Sequence, residues 1–202
     1  MKGLTALAVA GAVVVGIVVG MVLHGRFASR PALALPALHG QATWSPGKRP
    51  APDFTLLDQR GRRVALSSLR GRAIALLFMD SICKEACPIE GHLIAAAIRQ
   101  VPAAQKPRLV IVSVDPAGDT PRTIAAAGRK WTLPHGFLWL RGTKRELARV
   151  WRAYQITVEP SSGDVIHSTA AYLIDPRGNE RAGFLMPFVP GLVADDLKTL
   201  AA

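Results

Sequence analysis

Near the middle of the chain, the hydrophobic pattern is typical of a buried strand followed by a helix. Residues 73–79 form a continuous apolar run of strand length. Beyond this run, one buried helical face is indicated by the spacing of Ile89, Leu93, Ile94 and Ile98. The pattern therefore predicts a buried strand that leads into an amphipathic helix.

The rest of the pattern alternates between strands and helices. Strands are predicted at residues 54–57, 63–66, 108–114, 137–140, 169–174 and 181–185. Helices are predicted at residues 120–131, 143–154 and 193–200, the first two with start signals at Thr120-Pro121 and at Thr143-x-x-Glu146. The alternation predicts an α/β fold with a largely parallel central sheet, helices on both faces and an antiparallel hairpin around residues 175–178.

The N-terminal part predicts a membrane anchor and a tether. Residues 3–23 carry no charge and are long enough to cross a bilayer as a helix. The alternative is a cleaved signal peptide, for which Ala32-Leu33-Ala34 offers a small-residue cleavage pattern. Five prolines follow, so we interpret residues 1–28 as an N-terminal transmembrane anchor, residues 29–52 as a proline-rich tether and residues 53–202 as the globular domain.

The two cysteines of the chain, Cys83 and Cys87, lie where the central strand turns into its helix. Helix dipoles and unpaired N–H groups at such a position favour a thiolate, the form that attacks disulfides and binds soft metals. Residues four apart on a helix have Cβ atoms about 6 Å apart, close enough to hold one ion or to form a disulfide. The alternative is a structural role, in which the two cysteines are unreactive buried thiols or form a structural disulfide.

Other candidate residues follow the ends of neighbouring strands, where function gathers in open α/β sheets. Asp115 comes directly after the predicted strand at residues 108–114, and His167 precedes the strand at residues 169–174. A single histidine is more often a surface or structural residue than a ligand. Met79 and Met186 offer thioethers, but Met79 closes a buried strand and is predicted to be core.

Charge narrows the classes of partner. The chain has 25 lysines and arginines against 14 acidic residues, for a formal charge of +11. The positive electrostatic potential that this charge creates favours binding to an acidic protein or to anionic lipid headgroups. The basic residues are scattered and form no recognisable nucleic-acid module, so nucleic acid is not an expected partner.

These segments, taken in order, resemble the Sco/SenC family of thioredoxin-like copper proteins. The matching pieces are Asp53-Phe54-Thr55-Leu56 with Gly61, Cys83-x-x-x-Cys87-Pro88, Val112-Ser113-Val114-Asp115-Pro116 with Asp119-Thr120-Pro121, Gly142-Thr143, and His167-Ser168-Thr169 with Tyr172-Leu173-Ile174-Asp175-Pro176 and Gly178. Each of these motifs alone is weak evidence for the family. Their occurrence in the family's order from residue 53 onward is specific evidence for it.

The resemblance implies a thioredoxin-like domain on a single-pass inner-membrane anchor, facing the periplasm or an equivalent compartment. It implies that Cys83, Cys87 and His167 bind copper, with Asp115 in a supporting role. The implied partner is the copper-bearing subunit of cytochrome c oxidase, or another copper chaperone, and the protein either delivers copper or keeps that site's cysteines reduced. Two residues depart from the family pattern: Lys84 stands in place of a proline and Ile166 in place of an acidic residue.

Independently of the resemblance, two thiolates and an imidazole suit Cu(I), whereas structural zinc normally takes four protein ligands. The competing hypothesis is a thiol–disulfide oxidoreductase of the cell envelope, in which Cys83 and Cys87 are catalytic and need no metal. Its motif usually has two intervening residues, and this chain has three. A binding module with structural cysteines is a third alternative.

Overall fold

A six-stranded mixed sheet organises residues 37–159 and 165–201, which this computed structural model describes. Numbered along the chain, the strands are β1 (Ala42–Thr43), β2 (Thr55–Leu57), β3 (Arg63–Ala65), β4 (Ile74–Met79), β5 (Arg108–Ser113), β6 (Leu138–Leu140), β7 (Val158–Glu159), β8 (Ile166–His167), β9 (Ala170–Ile174) and β10 (Glu180–Leu185). The helices are α1 (Ala86–Arg99), α2 (Pro121–Lys130), α3 (Lys144–Ala153) and α4 (Pro190–Ala201).

The sheet has the spatial order β1-β10-β9-β4-β5-β6. β4, β5 and β6 are parallel, while β9, β10 and β1 continue the sheet through antiparallel pairs. The predicted α/β class with a hairpin is confirmed. The antiparallel share is larger than predicted, because β1 comes from the segment that was interpreted as a tether.

Each face of the sheet carries its own apolar core. Alternate residues of β4 point to opposite sides, so that Ala75, Leu77 and Met79 lie in one core and Ile74, Leu76 and Phe78 in the other. α1, α2 and α4 cover the first face. α3 and the β2–β3 ribbon cover the second. Because both faces are covered, every residue of β4 is buried, as its continuous apolar run predicts.

Local capping fixes the starts of two helices where the sequence predicts them. The Thr120 side chain accepts a hydrogen bond from the Thr123 backbone N–H, and the Thr143 side chain accepts one from the Glu146 N–H. Both bonds satisfy backbone donors that the first helical turn leaves unpaired. The start of α2 sets the loop that follows β5, and this loop lies beside the cysteines.

Part of the predicted tether is folded onto the domain. β1 pairs with β10, placing Ala42 opposite Gly183. Upstream, the His39 backbone N–H donates to the carboxylate of Asp196 on α4 at 2.9 and 3.0 Å. Proline content predicted an extended tether here, whereas the segment adds a short strand to the edge of the sheet and then turns at residues 45–48. The folded unit therefore includes residues upstream of Asp53.

The predicted membrane anchor at residues 1–28 lies outside the described residues, as does the N-terminal portion of the tether. Among the residues that are described, none of the helices combines the length and the apolar character needed to cross a bilayer.

Candidate metal centre

The two cysteines are presented at the junction between β4 and α1. β4 ends at Met79, Cys83 lies in the connecting loop, and Cys87 lies in the first turn of α1. Cys87 is completely buried and Cys83 is half-buried. The Asp80 backbone N–H donates to the Cys87 sulfur at 3.4 Å, and the Cys87 N–H donates to the Cys83 sulfur at 3.5 Å. The turn therefore brings the two sulfur atoms to the same side of the loop.

A buried aspartate connects this loop to the rest of the domain. Asp119, from the loop before α2, accepts a 2.7 Å hydrogen bond from the Ser81 backbone N–H and a 3.0 Å bond from the Trp139 indole N–H. The Ser81 hydroxyl in turn donates to the Thr123 hydroxyl at 2.9 Å. The cysteine loop is thus tied both to α2 and to the edge strand β6.

His167 approaches the cysteines from a separate hairpin. β7 pairs with β8, and this register sets His167 opposite Val158. The His167 Nε2 atom lies 3.6 Å from the Cys87 sulfur. Its Nδ1 lies 3.0 Å from the Ser168 carbonyl oxygen, to which only a protonated Nδ1 can donate. In the neutral ring, this contact places the proton on Nδ1 and directs an unprotonated Nε2 at Cys87, which is the form that binds metals.

The separation of Cys87 and His167 fits a shared metal ion. With metal–sulfur and metal–nitrogen bonds of about 2.3 and 2.0–2.1 Å, as in zinc sites, an angle near 110° separates the two ligand atoms by about 3.6 Å. In the described part of the chain, no group of three or more Cys, His, Asp or Glu side chains already stands in a complete metal-binding arrangement. The pair of Cys87 and His167 is therefore preset, whereas Cys83 must adjust to complete a three-ligand set.

The buried thiol holds its proton tightly. The hydrogen bond with Cys83 and then burial raise the pKa of the Cys87 thiol above its ordinary value. The helix N-terminus predicted the opposite direction for this residue, and the cost of burying charge exceeds that effect. Metal binding must displace this proton, so affinity is expected to rise with pH.

Buried carboxyl groups lie around the cysteine loop. Burial raises the pKa of Glu90 to about 8, and the charge of Cys83 adds to this shift. Burial, with the nearby Asp119 and Asp115, raises the pKa of Asp80 to about 7. Both carboxyl oxygens of Glu90 are buried without a hydrogen-bond partner. The surroundings of the thiols therefore disfavour added negative charge.

Asp115 lies next to the cysteine loop, as its position at the end of β5 predicts. A Cβ atom built on Gly118 would come within 2.1 Å of the Asp115 carboxylate and 2.7 Å of the Ile82 side chain. The Asp115 carboxylate accepts a hydrogen bond from the Ala117 N–H at 3.1 Å. Asp115 thus shapes the adjoining loop, and Gly118 leaves the space for it.

Sequence reasoning missed the buried carboxyl groups Asp80, Glu90 and Asp119. Two signals were present: Asp80 ends the apolar run of β4, and Glu90 lies one helical turn after Cys87 on the apolar face of α1. Met79 is core, as predicted, and Met186 packs against the same core as Cys83. None of these patterns shows from sequence alone that the carboxyl groups are buried.

Comparisons with known proteins agree with this geometry. The sequence profile of the SCO1/SenC family matches residues 43–202. The mitochondrial protein SCO2 homolog of Bos taurus is 33% identical over 136 residues, or 62% of this chain, and the match spans only half of the bovine protein.

Two solved structures with copper bound are similar in fold. ScoI of Arabidopsis thaliana has a TM-score of 0.67 and 26% identity, covering 74% of this chain and 96% of that one. ScoI of Bradyrhizobium japonicum has a TM-score of 0.65 and 28% identity, covering 74% and 98%. The matched region contains the cysteine loop, α1 and the His167 hairpin.

Proposed function

The chain belongs to the SCO1/SenC family, and from this premise we propose that it binds one copper ion through Cys83, Cys87 and His167. We propose further that it serves the assembly of the dinuclear copper site of cytochrome c oxidase. The copper-bound ScoI structures support the choice of metal, and the resemblance of the cysteine and histidine motifs supports the choice of pathway.

The observation that carries the metal proposal is the orientation of His167. Its Nδ1 is engaged by the Ser168 carbonyl, so its lone pair on Nε2 faces the Cys87 sulfur at 3.6 Å. A purely structural cysteine pair does not require this arrangement, nor does a dithiol that only exchanges disulfides. Two thiolates and one imidazole form a soft ligand set, which favours Cu(I) over Mg²⁺ or Ca²⁺.

The metal proposal is tested by competition for Cu(I) between a chelator of known affinity and the anaerobically reduced full chain in uncharged detergent micelles. We expect one Cu(I) per chain, and a loss of affinity of about 100-fold in His167→Ala, since one of three ligands is removed. Circular dichroism should be unchanged, because His167 lies on a two-residue strand of a small hairpin.

His135→Ala is the matched control, since His135 is an exposed histidine in the loop before β6. It should bind copper like the original chain. Equal copper affinity in the His167→Ala and His135→Ala proteins would remove His167 from the ligand set.

Delivery to another protein is favoured by the surface around the ligands. Cys83 is half-buried rather than enclosed, and exposed apolar side chains lie beside the cysteines and His167. These are Ile82, Ile89 and Ile166, which are 47, 55 and 62% exposed. An exposed apolar surface around a partly accessible ligand is typical of a protein-binding site. A docked partner would cover this surface and exclude solvent while copper passes between the two proteins.

Delivery is tested by mixing the Cu(I)-loaded chain with the copper-free, reduced copper-bearing domain of an oxidase subunit. We expect copper to move to that domain in the presence of a chelator that traps any released ion. Transfer only through the chelator would contradict delivery by direct contact.

A second function, reduction of the partner's cysteines, is favoured by the unequal exposure of the two thiols. Cys83, half-buried, would attack one sulfur of a partner disulfide and release the other as a thiol. Cys87, adjacent and buried, would then attack the Cys83 sulfur. The partner leaves with two thiols and both electrons, while Cys83 and Cys87 are left as a disulfide.

The His167→Ala protein separates the two functions. Reduction by the cysteines needs no imidazole ligand, so this variant should reduce an oxidised oxidase domain at close to the original rate while failing to deliver copper. Equal impairment of both activities would mean that reduction also depends on the metal or on His167 itself.

We also propose that residues 1–28 anchor the chain in the inner membrane with the domain in the periplasm. The support is the uncharged apolar run at residues 3–23. Membrane fractions washed with alkaline carbonate should retain the protein, and protease added to spheroplasts should digest the domain. Release of a soluble chain that starts near residue 35 would show a cleaved signal peptide instead.

A further inference from the structure

A groove lies between α1, α2 and the loop that leads into β6. Its volume is about 1050 Å³. Ile98 and Ile124 lie beneath its floor, and the half-buried Leu133 and Phe137 supply accessible apolar surface. A Cβ atom on Gly128 would come within 2.7 Å of the Phe137 ring, so the absence of a side chain there lets the ring pack against α2. The floor is therefore apolar and firmly packed.

The rim of this groove is basic. We name it the basic groove, bounded by the exposed side chains of Arg60, Arg99, Lys106 and Arg129. None of the described residues that line it is acidic. Within residues 37–159 and 165–201, these four side chains form no ion pair, and Arg99 makes one long hydrogen bond to Thr132 at 3.5 Å. Their charges are thus available to a partner.

We propose that the basic groove binds an amphipathic, acidic segment of a partner protein. A helix with one apolar face fits a concave apolar floor, and acidic residues along its edges would face the four basic side chains. The Arg99 end of the groove lies apart from the candidate metal centre, since Arg99 is twelve residues after Cys87 on α1, about 18 Å along the helix axis.

Other occupants are disfavoured by charge and shape. Residues 1–36 of this chain contain no acidic residue and three basic ones, so that segment is repelled. A second copy of the chain also carries a formal charge of +11. An anionic bilayer would attract the rim, but a flat surface does not reach a recessed apolar floor. An acidic, apolar-faced segment matches both features.

The test uses a fluorescent synthetic peptide of about four helical turns, with leucines on one face and glutamates on the other. Binding to the copper-free full chain in uncharged micelles is followed by fluorescence anisotropy. We expect Arg99→Glu/Arg129→Glu to weaken binding by roughly tenfold, as reversal of two rim charges predicts. The matched control is Arg72→Glu/Arg152→Glu, which makes the same change in net charge on exposed arginines outside the groove.

Three results would overturn the proposal. Equal weakening of peptide binding in both double variants would show that the peptide is attracted only by the net charge of the protein. Equal binding of a peptide with serines in place of the leucines would show that the floor is not used. Displacement of the peptide by phosphatidylglycerol added to the micelles, dependent on Arg99 and Arg129, would assign the groove to a lipid surface. Because copper is absent throughout, these results are independent of the metal proposal.

Discussion

Cys87 and His167 face each other across 3.6 Å, but they are supported by very different amounts of structure. The cysteine side rests on β4, whose six residues are all buried, and on α1, which packs into the core beneath the sheet. The histidine side is a hairpin of two-residue strands in which only Val158 and His167 are half-buried.

This difference separates the candidate metal centre into a rigid part and a lightly held part. Much apolar burial fixes the cysteine loop, so changes beneath it should alter the stability of the whole domain. The strands of the hairpin bury less side-chain surface, so changes there should have less effect on folding.

The largest expected effect is on the free energy of unfolding, when one side chain is truncated on the cysteine side and one on the histidine side. Ile94→Ala removes a fully buried side chain of α1 and should lower the free energy of unfolding by about 2–5 kcal/mol. Ile166→Ala, next to His167 and 62% exposed, should change it by less than about 0.5 kcal/mol. Urea unfolding of the reduced, copper-free chain measures both. Similar losses would mean that the hairpin is as integral to the domain as α1.

The next effect concerns the tie between the cysteine loop and β6. Asp119→Ala leaves the Ser81 backbone N–H and the Trp139 indole N–H without their acceptor, which should cost about 1–3 kcal/mol. Hydrogen exchange should speed up at the Ser81 amide and the Trp139 indole, while the Ser168 amide, bonded to the Thr157 carbonyl on the hairpin, keeps its protection. Unchanged exchange at Ser81 would show that other contacts hold the loop.

The third effect is a pH dependence of the free energy of unfolding that arises on the cysteine side. Burial raises the pKa of Glu90 from 4.5 to about 8 in the folded protein. Between these values the unfolded chain releases this proton and the folded chain keeps it, so the free energy of unfolding falls by about 1.4 kcal/mol per pH unit from this group. Its stabilisation is complete below pH 4.5 and is lost as pH rises to about 8.

Glu90→Gln removes this contribution without changing the side-chain shape. The variant should therefore have a shallower fall in stability between pH 5 and 8, with Asp80, whose pKa is about 7, still contributing in the same direction. Urea unfolding at several pH values gives the slopes. Parallel slopes for the two proteins would show that Glu90 is ionised in the folded state.

The smallest effect is that of Lys84, the exposed residue beside Cys83. A unit charge about 7 Å from a thiolate in water is worth about 0.6 kcal/mol, so Lys84→Gln should weaken Cu(I) binding by about threefold at low ionic strength. Added salt should reduce the difference, because exposed charges are screened. Lys144→Gln, an exposed lysine on α3, is the control. An affinity that is unchanged or higher in Lys84→Gln would show that this charge does not support the thiolates.

Local features of this protein are determined by the sequence itself. The buried β4, the amphipathic α1 with cysteines at its start, and the capping boxes at Thr120 and Thr143 depend on bonds and patterns that span only a few residues. The order of short motifs was also sufficient to identify the family. For these features, residue type and spacing carry the necessary information.

The features that join distant parts of the chain depend on tertiary packing. β1 pairs with β10 more than 130 residues later, and His167 reaches Cys87 from 80 residues away. Whether the two oxygens of Glu90 are buried depends on every element that packs around α1, and the basic groove exists only where Arg60, Arg99 and Arg129 converge from separate elements. Burial and convergence are set by long-range packing, which local spacing does not specify.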